Sequence, residues 1–528
     1  MPVSPTYPGV YVEEVPSSVR TITGVATSIA AFIGAASRGP TTVPVRIQSF
    51  ADFERKYGGL SRNQPLGYAV QQFFQNGGTD AQIVRVVHID EDESKSAKPA
   101  ELEYEGLKLV ASSEGSWGDG LKIIVAHPDP DDDNTVFNLR VKDDASGQSE
   151  SFLNLSTDPT NPRYVLDVLR DQSELVRATE AAGRPSAHPA ASDGKDPFEE
   201  SGKHSAVTKP GADGDKLTGP DVEGKTVDDD QSDGVIKTGL HALDHADLFN
   251  LLCIPPLSRE PGDDVPKSTL GKAANYCSDR RAMLIVDPRG EWTNVTKAEK
   301  GVRSELNEIA HKKNAALFFP RIRVADPLKE NRLDEFAPCG AIAGMYARTD
   351  TNRGIWKAPA GQNDGRLSGV SELGLQLTDG DNGRLNPLGL NCLRTFPIFG
   401  NVVWGARTAD GADQAASQWK YVPVRRTALF IEESLRRGLG WVVMEPNDEP
   451  LWAQIRLNVG AFMHNLFTQG AFQGQSPADS YFVRCDADTT TQIHIDLGIV
   501  NVHVGFAPLK PAEFVIIKLE QIAGQMQA

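Results

Sequence analysis

The run Ala282-Met283-Leu284-Ile285-Val286-Asp287 is a hydrophobic strand that ends in a carboxylate, the arrangement with which a P-loop nucleotidase holds its metal. That chemistry also needs a G-x-x-x-x-G-K-[ST] loop to cradle phosphates. Gly271-Lys272 is followed by Ala273 and has no upstream glycine, and Asp287 stands before Pro288, where Asp acts as a turn former. Asp129, Asp131 and Asp133 imitate the start of a calcium loop. Its sixth position has no glycine, however, and its twelfth is Arg140 where a bidentate Glu is needed. His241 and His245 are four apart, as two ligands on one helix face would be, but no third ligand is recognisable beside them. Gly438-Leu439-Gly440-Trp441 lacks the third glycine of a dinucleotide fingerprint and reads as a helix C-cap. Neither G-x-S-x-G nor H-E-x-x-H occurs. The expectation is a chain with no catalytic residues, no metal site and no cofactor.

What remains is charge and size. Arg425, Arg426, Arg436 and Arg437 form a basic cluster, to be read either as a solvated helix face beside Glu432 and Glu433 or as a contact for an acidic partner. The whole chain is acidic, with a formal net charge of −17, which argues against nucleic acid as the main partner. Its 528 residues exceed one ordinary core, so two to four domains are expected. Cys253, Cys277, Cys339, Cys392 and Cys485 contain no C-x-x-C pair and read as reduced, buried thiols. The opening MPVSPTYPGVYVEEV is not a secretory signal, and the stretch Val25 to Ala36 is far short of a membrane helix, so the expected site of synthesis is the cytoplasm.

The elements that must position these residues fall into blocks. Pro5, Pro8 and Pro16 exclude a helix from the first ~20 residues, where Val10, Tyr11, Val12 and Val15 favour an edge strand. An α/β unit follows: strand Ala30 to Gly34, helix Phe50 to Tyr57 capped by Ser49 and stopped by Gly58, helix Leu66 to Gln75, and strand Ala81 to Val87. Strands are expected at Leu121 to Ala126 and Thr135 to Val141. Residues 188–234 carry twelve acidic and five basic side chains with one aromatic, Phe198, and read as a solvated loop. Strands Leu248 to Ile254, Ala282 to Val286 and Ala316 to Phe319 then alternate with helices Lys267 to Ser278 and Lys297 to Asn314, which is a parallel α/β pattern.

The last 110 residues predict helices Arg425 to Arg437 and Leu451 to Phe467. In the second, Leu451, Ile455, Val459, Phe462 and Leu466 form one apolar stripe. Strands are expected at Gln492 to Leu497, Val500 to Phe506 and Glu513 to Gln521. The organisation expected is an arm, 1–21; a middle domain, 22–90 plus 239–400; an inserted domain, 91–238; a C-terminal domain, 401–510; and a second arm, 511–528.

Several segments together resemble the tail sheath family of contractile phage tails and bacterial contractile injection systems. They are Tyr7-Pro8-Gly9-Val10-Tyr11-Val12-Glu13-Glu14, Thr27 to Gly34, Arg38-Gly39-Pro40 and Phe73-Phe74-Gln75-Asn76-Gly77-Gly78. Downstream come Trp356-Lys357-Ala358-Pro359-Ala360-Gly361, Leu385-Asn386-Pro387, Val403 to Thr408 and Tyr421 to Arg426. Their order covers roughly 1–90 and 239–528 and leaves 95–238 unmatched.

The resemblance implies an α/β and α+β multidomain fold: a sheath-type core with mixed sheets, an inserted mainly-β outer domain, and extended N- and C-terminal β arms. It implies a structural subunit, not an enzyme, that stacks as hexameric rings around an inner tube and contracts to drive that tube through an envelope. The implied partners are further copies of the chain, the tube protein, and baseplate and terminal cap proteins, with no nucleic acid and no membrane insertion. The arms would be Val10, Tyr11, Val12 and Val15 at one end and Phe514, Val515, Ile516, Ile517 and Leu519 at the other. Their acceptor sheet would hold Ile493, Ile495, Leu497, Val500, Val502 and Val504, and the arginine cluster would face the tube. The alternatives are a non-contractile tail or capsid protein, or an α/β nucleotide-binding enzyme around Asp287. A type VI secretion sheath fits less well, because that family's sheath is usually split between two chains.

Overall fold

The computed structural model describes residues 20–90, 92–128, 136–192, 195–229 and 234–518. The chain divides into two compact units. The larger comprises 27–352 and 359–422; the smaller comprises 1–26, 353–358 and 423–528.

The larger unit is built on a sheet whose strands come from both sides of a long insertion. They are β1 (Ala30–Gly34), β2 (Val45–Ile47), β3 (Ala81–Arg85), β4 (Leu251–Cys253), β5 (Met283–Val286), β6 (Ala315–Phe319), β7 (Leu390–Phe396) and β8 (Gly400–Val403). Their spatial order is β2-β3-β1-β4-β5-β6-β7-β8. The six inner strands run parallel, with Ala30 opposite both Ala81 and Leu251, while β2 and β8 are antiparallel edges. Alternate side chains enter opposite cores: Phe32 packs with Phe53, Tyr57 and Phe73 on one face, and Ile33 with Leu252, Leu270 and Val302 on the other.

Local chemistry sets the covering helices. Helix α1 (Phe50–Tyr57) starts at Ser49, whose side chain accepts from the Asp52 N–H, and stops at Gly58, which sits at φ 86°. Helix α2 (Pro65–Gln75) begins with a proline, and Asn76 at its end donates to Gln72 O and accepts from the Ser368 N–H. Helices α3 (Lys267–Asp279) and α4 (Val295–Glu308) cover the second face. Helix α5 (Cys339–Arg353) is buried almost all round, and its glycines allow backbone contact with α2. A Cβ on Gly340 would stand 2.0 Å from Ala69 O, and one on Gly344 would stand 2.3 Å from Phe73 O.

Between β3 and β4 the chain builds separate sheets. One pairs Leu107–Ala111 with Glu101–Tyr104 and Val176–Ala181; another joins Leu121–Ala126, Val136–Asp143, Ser149–Ser156 and Ser205–Ala206. They enclose a core of their own around Leu109, Ile123, Phe137, Leu155 and Leu169. The outgoing and returning passes are hydrogen-bonded into a neck: Asp215 N–H to Lys95 O at 2.8 Å, a reciprocal pair between Lys98 and Ala212 at 2.9 Å, and Glu101 N–H to Lys209 O at 2.9 Å. Two arginines clasp the insertion to the central sheet. Arg85, 2% exposed, donates to Ala36 O and Gly39 O on one side and to Glu114 O and Oε2 on the other, and Arg38 reaches Asp143 and Gln148.

Residues 188–234 differ from the solvated loop that their composition predicts. Among the described residues they include a helical turn, Gly219–Glu223, closed by a capping box of Thr218 and Asp221, and a hairpin of Thr226–Asp229 with Gly234–Lys237. Phe198 is 1% exposed, with the Arg140 guanidinium 5.2 Å and the Lys142 ammonium 5.5 Å from its ring centre, and Val222 is fully buried. These two apolar residues anchor the segment, and Asp221 and Glu223 tie it down further through His88 and through Thr269 and Lys272. Phe198→Ala should therefore cost about 3 kcal/mol or more locally. Hydrogen exchange over 195–206 should accelerate in this variant while β1 and β4 stay protected.

The smaller unit contains helix α6 (Val422–Gly438), helix α7 (Glu449–Thr468), helical turn α8 (Gln492–Asp496) and strands β9 (Tyr481–Arg484) and β10 (His503–Phe506). Asp448 caps α7, accepting from the Leu451 N–H at 3.1 Å, and Pro450 occupies its first turn. The stripe Leu451, Ile455, Val459, Phe462 and Leu466 is buried, as its spacing predicts. The strand expected at Gln492 to Leu497 is corrected: Thr491 and His494 form a capping box, and Gly498 at φ 70° ends one helical turn. The alternation of apolar residues there matches a strand, but the local caps decide for a helix. Val500 to Phe506 is a strand only from His503 onward, and no strand forms over the described residues 511–518.

Candidate assembly interface

Strands β9 and β10 pair antiparallel, with Tyr481 opposite Phe506 and Val483 opposite Val504. Tyr481, Val483, Val504 and Phe506 turn inward against the core made by Ile455, Val459, Phe462 and Cys485. Phe482, on the other face, is half exposed. Among the described residues no further strand joins this pair. Both outer edges therefore present unpaired backbone donors and acceptors, and a two-stranded sheet alone is marginal in water. After Phe506 the Ala507 N–H donates to Ser480 O at 2.8 Å, the Gln473 N–H donates to Ala507 O at 2.9 Å, and Pro508 bridges Phe472.

Phe514, Val515, Ile516 and Ile517 follow without regular structure, and they are 73–83% exposed. Four consecutive large apolar side chains in water signal a surface meant to be covered. Val10, Tyr11, Val12, Val15 and Leu519 lie outside the described residues. The expected acceptor residues divide. Ile495, Val500, Val502 and Val504 pack against the core of this unit, whereas Ile493 and Leu497 project from the helical turn at 70% and 68% exposure. Sequence reasoning missed β9, whose signal is the alternation in Tyr481-Phe482-Val483-Arg484.

The arginine cluster is also corrected. Arg425 and Arg426 are buried, and Arg425 pairs with Glu432 at 3.0 Å, so neither is a surface cation. Arg436 and Arg437 both bind Glu433, at 2.6 and 2.7 Å. Burial opposes ionisation of Glu433, but its hydrogen bonds from Arg436 and Arg437 outweigh that and draw its pKa down to about 2. Arg425, Arg436 and Arg437 are neutralised on α6 by Glu432 and Glu433, the two acids the sequence sets beside them, whereas the burial of Arg425 and Arg426 is not visible in the spacing.

Asp287 acquires a structural role. Its Oδ1 accepts the Cys339 N–H at 2.8 Å and so caps the start of α5, while Oδ2 has no hydrogen-bond partner among the described residues. Burial, reinforced by Asp264 and opposed by the Cys339 bond and Arg321, pushes this carboxyl up to about 7. Because the unfolded carboxyl ionises near 3.8, the folded state holds more protons between that pH and about 7. Asp287 therefore makes stability fall as pH rises through this window, with the full penalty present above it. Asp287→Asn keeps an acceptor for Cys339 but cannot ionise. Thermal unfolding of the variant should show a higher midpoint than the parent at pH 8 and a smaller difference at pH 5. Among the described residues no group of three or more His, Cys, Asp or Glu side chains is placed to hold a metal, and no helix is long and apolar enough to cross a membrane.

Residues 414–522 match the family model of the phage tail sheath C-terminal domain. The putative prophage major tail sheath protein of Pseudomonas aeruginosa is 26% identical over 286 residues, 52% of this chain and 67% of that protein. The tail sheath protein of Vibrio phage KVP40 is 26% identical over 190 residues, so the chain matches 27% of that protein's length. The fold is shared with the sheath complex of the extracellular contractile injection system PVC in its contracted state (TM-score 0.57, 21% identity, 98% of each chain). It is shared also with the sheath tail protein of Listeria innocua (TM-score 0.58, 12% identity, 93% of this chain and 96% of that one).

Proposed function

From the premise that the chain is a relative of contractile tail sheath proteins and carries their C-terminal domain, we propose that it polymerises as stacked hexameric rings around an inner tube. Contraction of that polymer drives the tube through a target envelope. The observation that carries this reading is the pairing of an open two-stranded sheet with an exposed apolar tail in one chain. In a polymer, residues 514–519 of one copy and 10–15 of another add strands to the edges of β9 and β10. Per residue, ordering the backbone costs ~1–2 kcal/mol and a net hydrogen bond returns ~0.5–1.5 kcal/mol. Burial of a large apolar side chain adds ~1.5–3 kcal/mol, which tips the balance toward exchange.

In this picture 22–90 with 239–400 belongs to the middle domain, 91–238 is an outer attachment and the C-terminal domain faces the tube, with its start moved from 401 to 423 because 401–422 lies in the larger unit. Baseplate and terminal cap proteins close the ends of the polymer. The subunit is made in the cytoplasm of the producing cell and then becomes part of a phage tail or injection particle. Its chemistry is mechanical, and the ionisable groups it buries serve caps and ion pairs.

Negative-stain electron microscopy of the full chain, alone and with its tube subunit, tests this. Striated cylinders are expected, and single particles under both conditions would sink the proposal. Removing residues 1–16 should leave a folded monomer that forms no cylinders, so normal cylinders from the truncated chain would refute the arm mechanism.

A further inference from the structure

His88 stands where the chain leaves β3 for the insertion, and both passes of the neck close around it. Its carbonyl accepts the Ala97 N–H of the outgoing pass at 2.9 Å. Its Nδ1 donates to Asp221 Oδ2 at 2.9 Å, and its Nε2 lies 3.7 Å from Asp90 Oδ2. Asp215, on the returning pass, adds a third negative charge. Lys95 acts on Asp90 too, but it pairs with Asp92 at 3.7 Å. The imidazole is 13% exposed and the Asp221 side chain 10%, so one shielded ring faces carboxylates from both passes.

Asp221 also sets the conformation of the segment that holds it. Its Oδ2 accepts the Thr218 N–H and hydroxyl, each at 2.7 Å, which closes the capping box of the turn Gly219–Glu223. The turn has a second grip at its other end, where Glu223 accepts from the Thr269 hydroxyl at 2.8 Å and pairs with Lys272. Val222, fully buried, lies between the two grips. A carboxylate–ammonium pair keeps its charges through neutral pH, whereas an imidazole does not. With a proton on both nitrogens, His88 serves Asp221 and Asp90 together and offsets one of three negative charges. Neutral His88 has a single N–H, which serves one of them, and the three carboxylates then repel one another across the neck.

We propose that His88 is a proton-operated latch on the neck: charged, it holds the turn Gly219–Glu223 and the hairpin that follows against the end of β3, and neutral, it lets them move. The hydrogen bond to Asp221 raises the His88 pKa above its ordinary 6.5; burial opposes this, and the charges of Asp221, Asp90 and Asp215 reinforce it. A raised folded-state value makes the latch fully engaged below about 6.5 and releases it as pH rises through that higher value. The Glu223 grip and Val222 remain, so release loosens the returning pass and leaves the central sheet intact.

Hydrogen exchange of the full chain at pH 6 and pH 9, with exchange times scaled for the intrinsic effect of pH, tests this. Residues 216–229 should exchange roughly tenfold faster at the higher pH, the scale of losing one charge-assisted hydrogen bond, while β1 and β4 keep equal protection. His88→Gln cannot charge, so the same residues should exchange fast at both pH values. Asp90→Asn keeps an acceptor for the Asp92 N–H but removes one charge, and its release should fall at a lower pH than the parent's. Equal scaled exchange at both pH values in the parent overturns the latch. So does a pH difference of parental size in His88→Gln, which assigns the titration to another group, such as His241 or His245. A release pH unmoved in Asp90→Asn, a variant at an exposed site, overturns the part given to the carboxylate cluster even where His88→Gln fails to fold.

Discussion

A sheet of two strands has as much unpaired edge as paired ladder. In β9 and β10 alternate residues turn both N–H and C=O toward the partner strand, and the residues between them turn theirs to whatever comes next. Water satisfies those groups in the isolated chain, but it does not bury Phe482 or the tail from Phe514 to Ile517. This incompleteness marks the smaller unit: one face of the pair rests on α7, and among the described residues no further strand extends it. The larger unit has the opposite design. Its sheet carries helices on both faces, and its antiparallel edge strands, β2 and β8, close off the parallel ladder.

That division explains where the ionisable groups went. The larger unit buries Asp287 to cap α5, because a helix held by backbone contact to α2 through Gly340 and Gly344 begins where water cannot reach its first N–H groups. The carboxylate supplies the missing acceptor and keeps a raised pKa as the consequence. A strand ending in Asp is thus the same sequence pattern whether the carboxylate meets a metal or a helix N-terminus. The helix that follows decides between them.

Elements whose signals are local were legible from the sequence. Ala30–Gly34 is an apolar run closed by glycine, Phe50–Tyr57 lies between a serine cap and a left-handed glycine, and the α7 stripe repeats at helical spacing. The failures have a common cause: a partner or cap outside the pattern being read. Alternation at Gln492 to Leu497 lost to the Thr491–His494 box. Acidic composition over 188–234 hid Phe198, which is held by cations from a strand some 60 residues earlier. Arg425 and Arg426 were read as surface charge, yet burial is a property of the packed unit and leaves no trace in local spacing. The terminal sheet was half legible: its second strand lies within the stretch Val500 to Phe506 read as a strand, while its first strand, Tyr481–Arg484, was visible only in the structure.

The neck at Lys95–Asp215, Lys98–Ala212 and Glu101–Lys209 has a consequence for variation and for engineering. Because the outgoing and returning passes lie one hydrogen bond apart, whatever hangs beyond them can be exchanged for a foreign module without stretching the central sheet. One obligation goes with the exchange. Arg85 is buried and takes two of its acceptors from Glu114, so any replacement must offer an oxygen at that place, or the graft will strand a charge inside the protein. The neck is therefore a point at which a passenger can be grafted onto each chain, provided that one buried acceptor for Arg85 is retained.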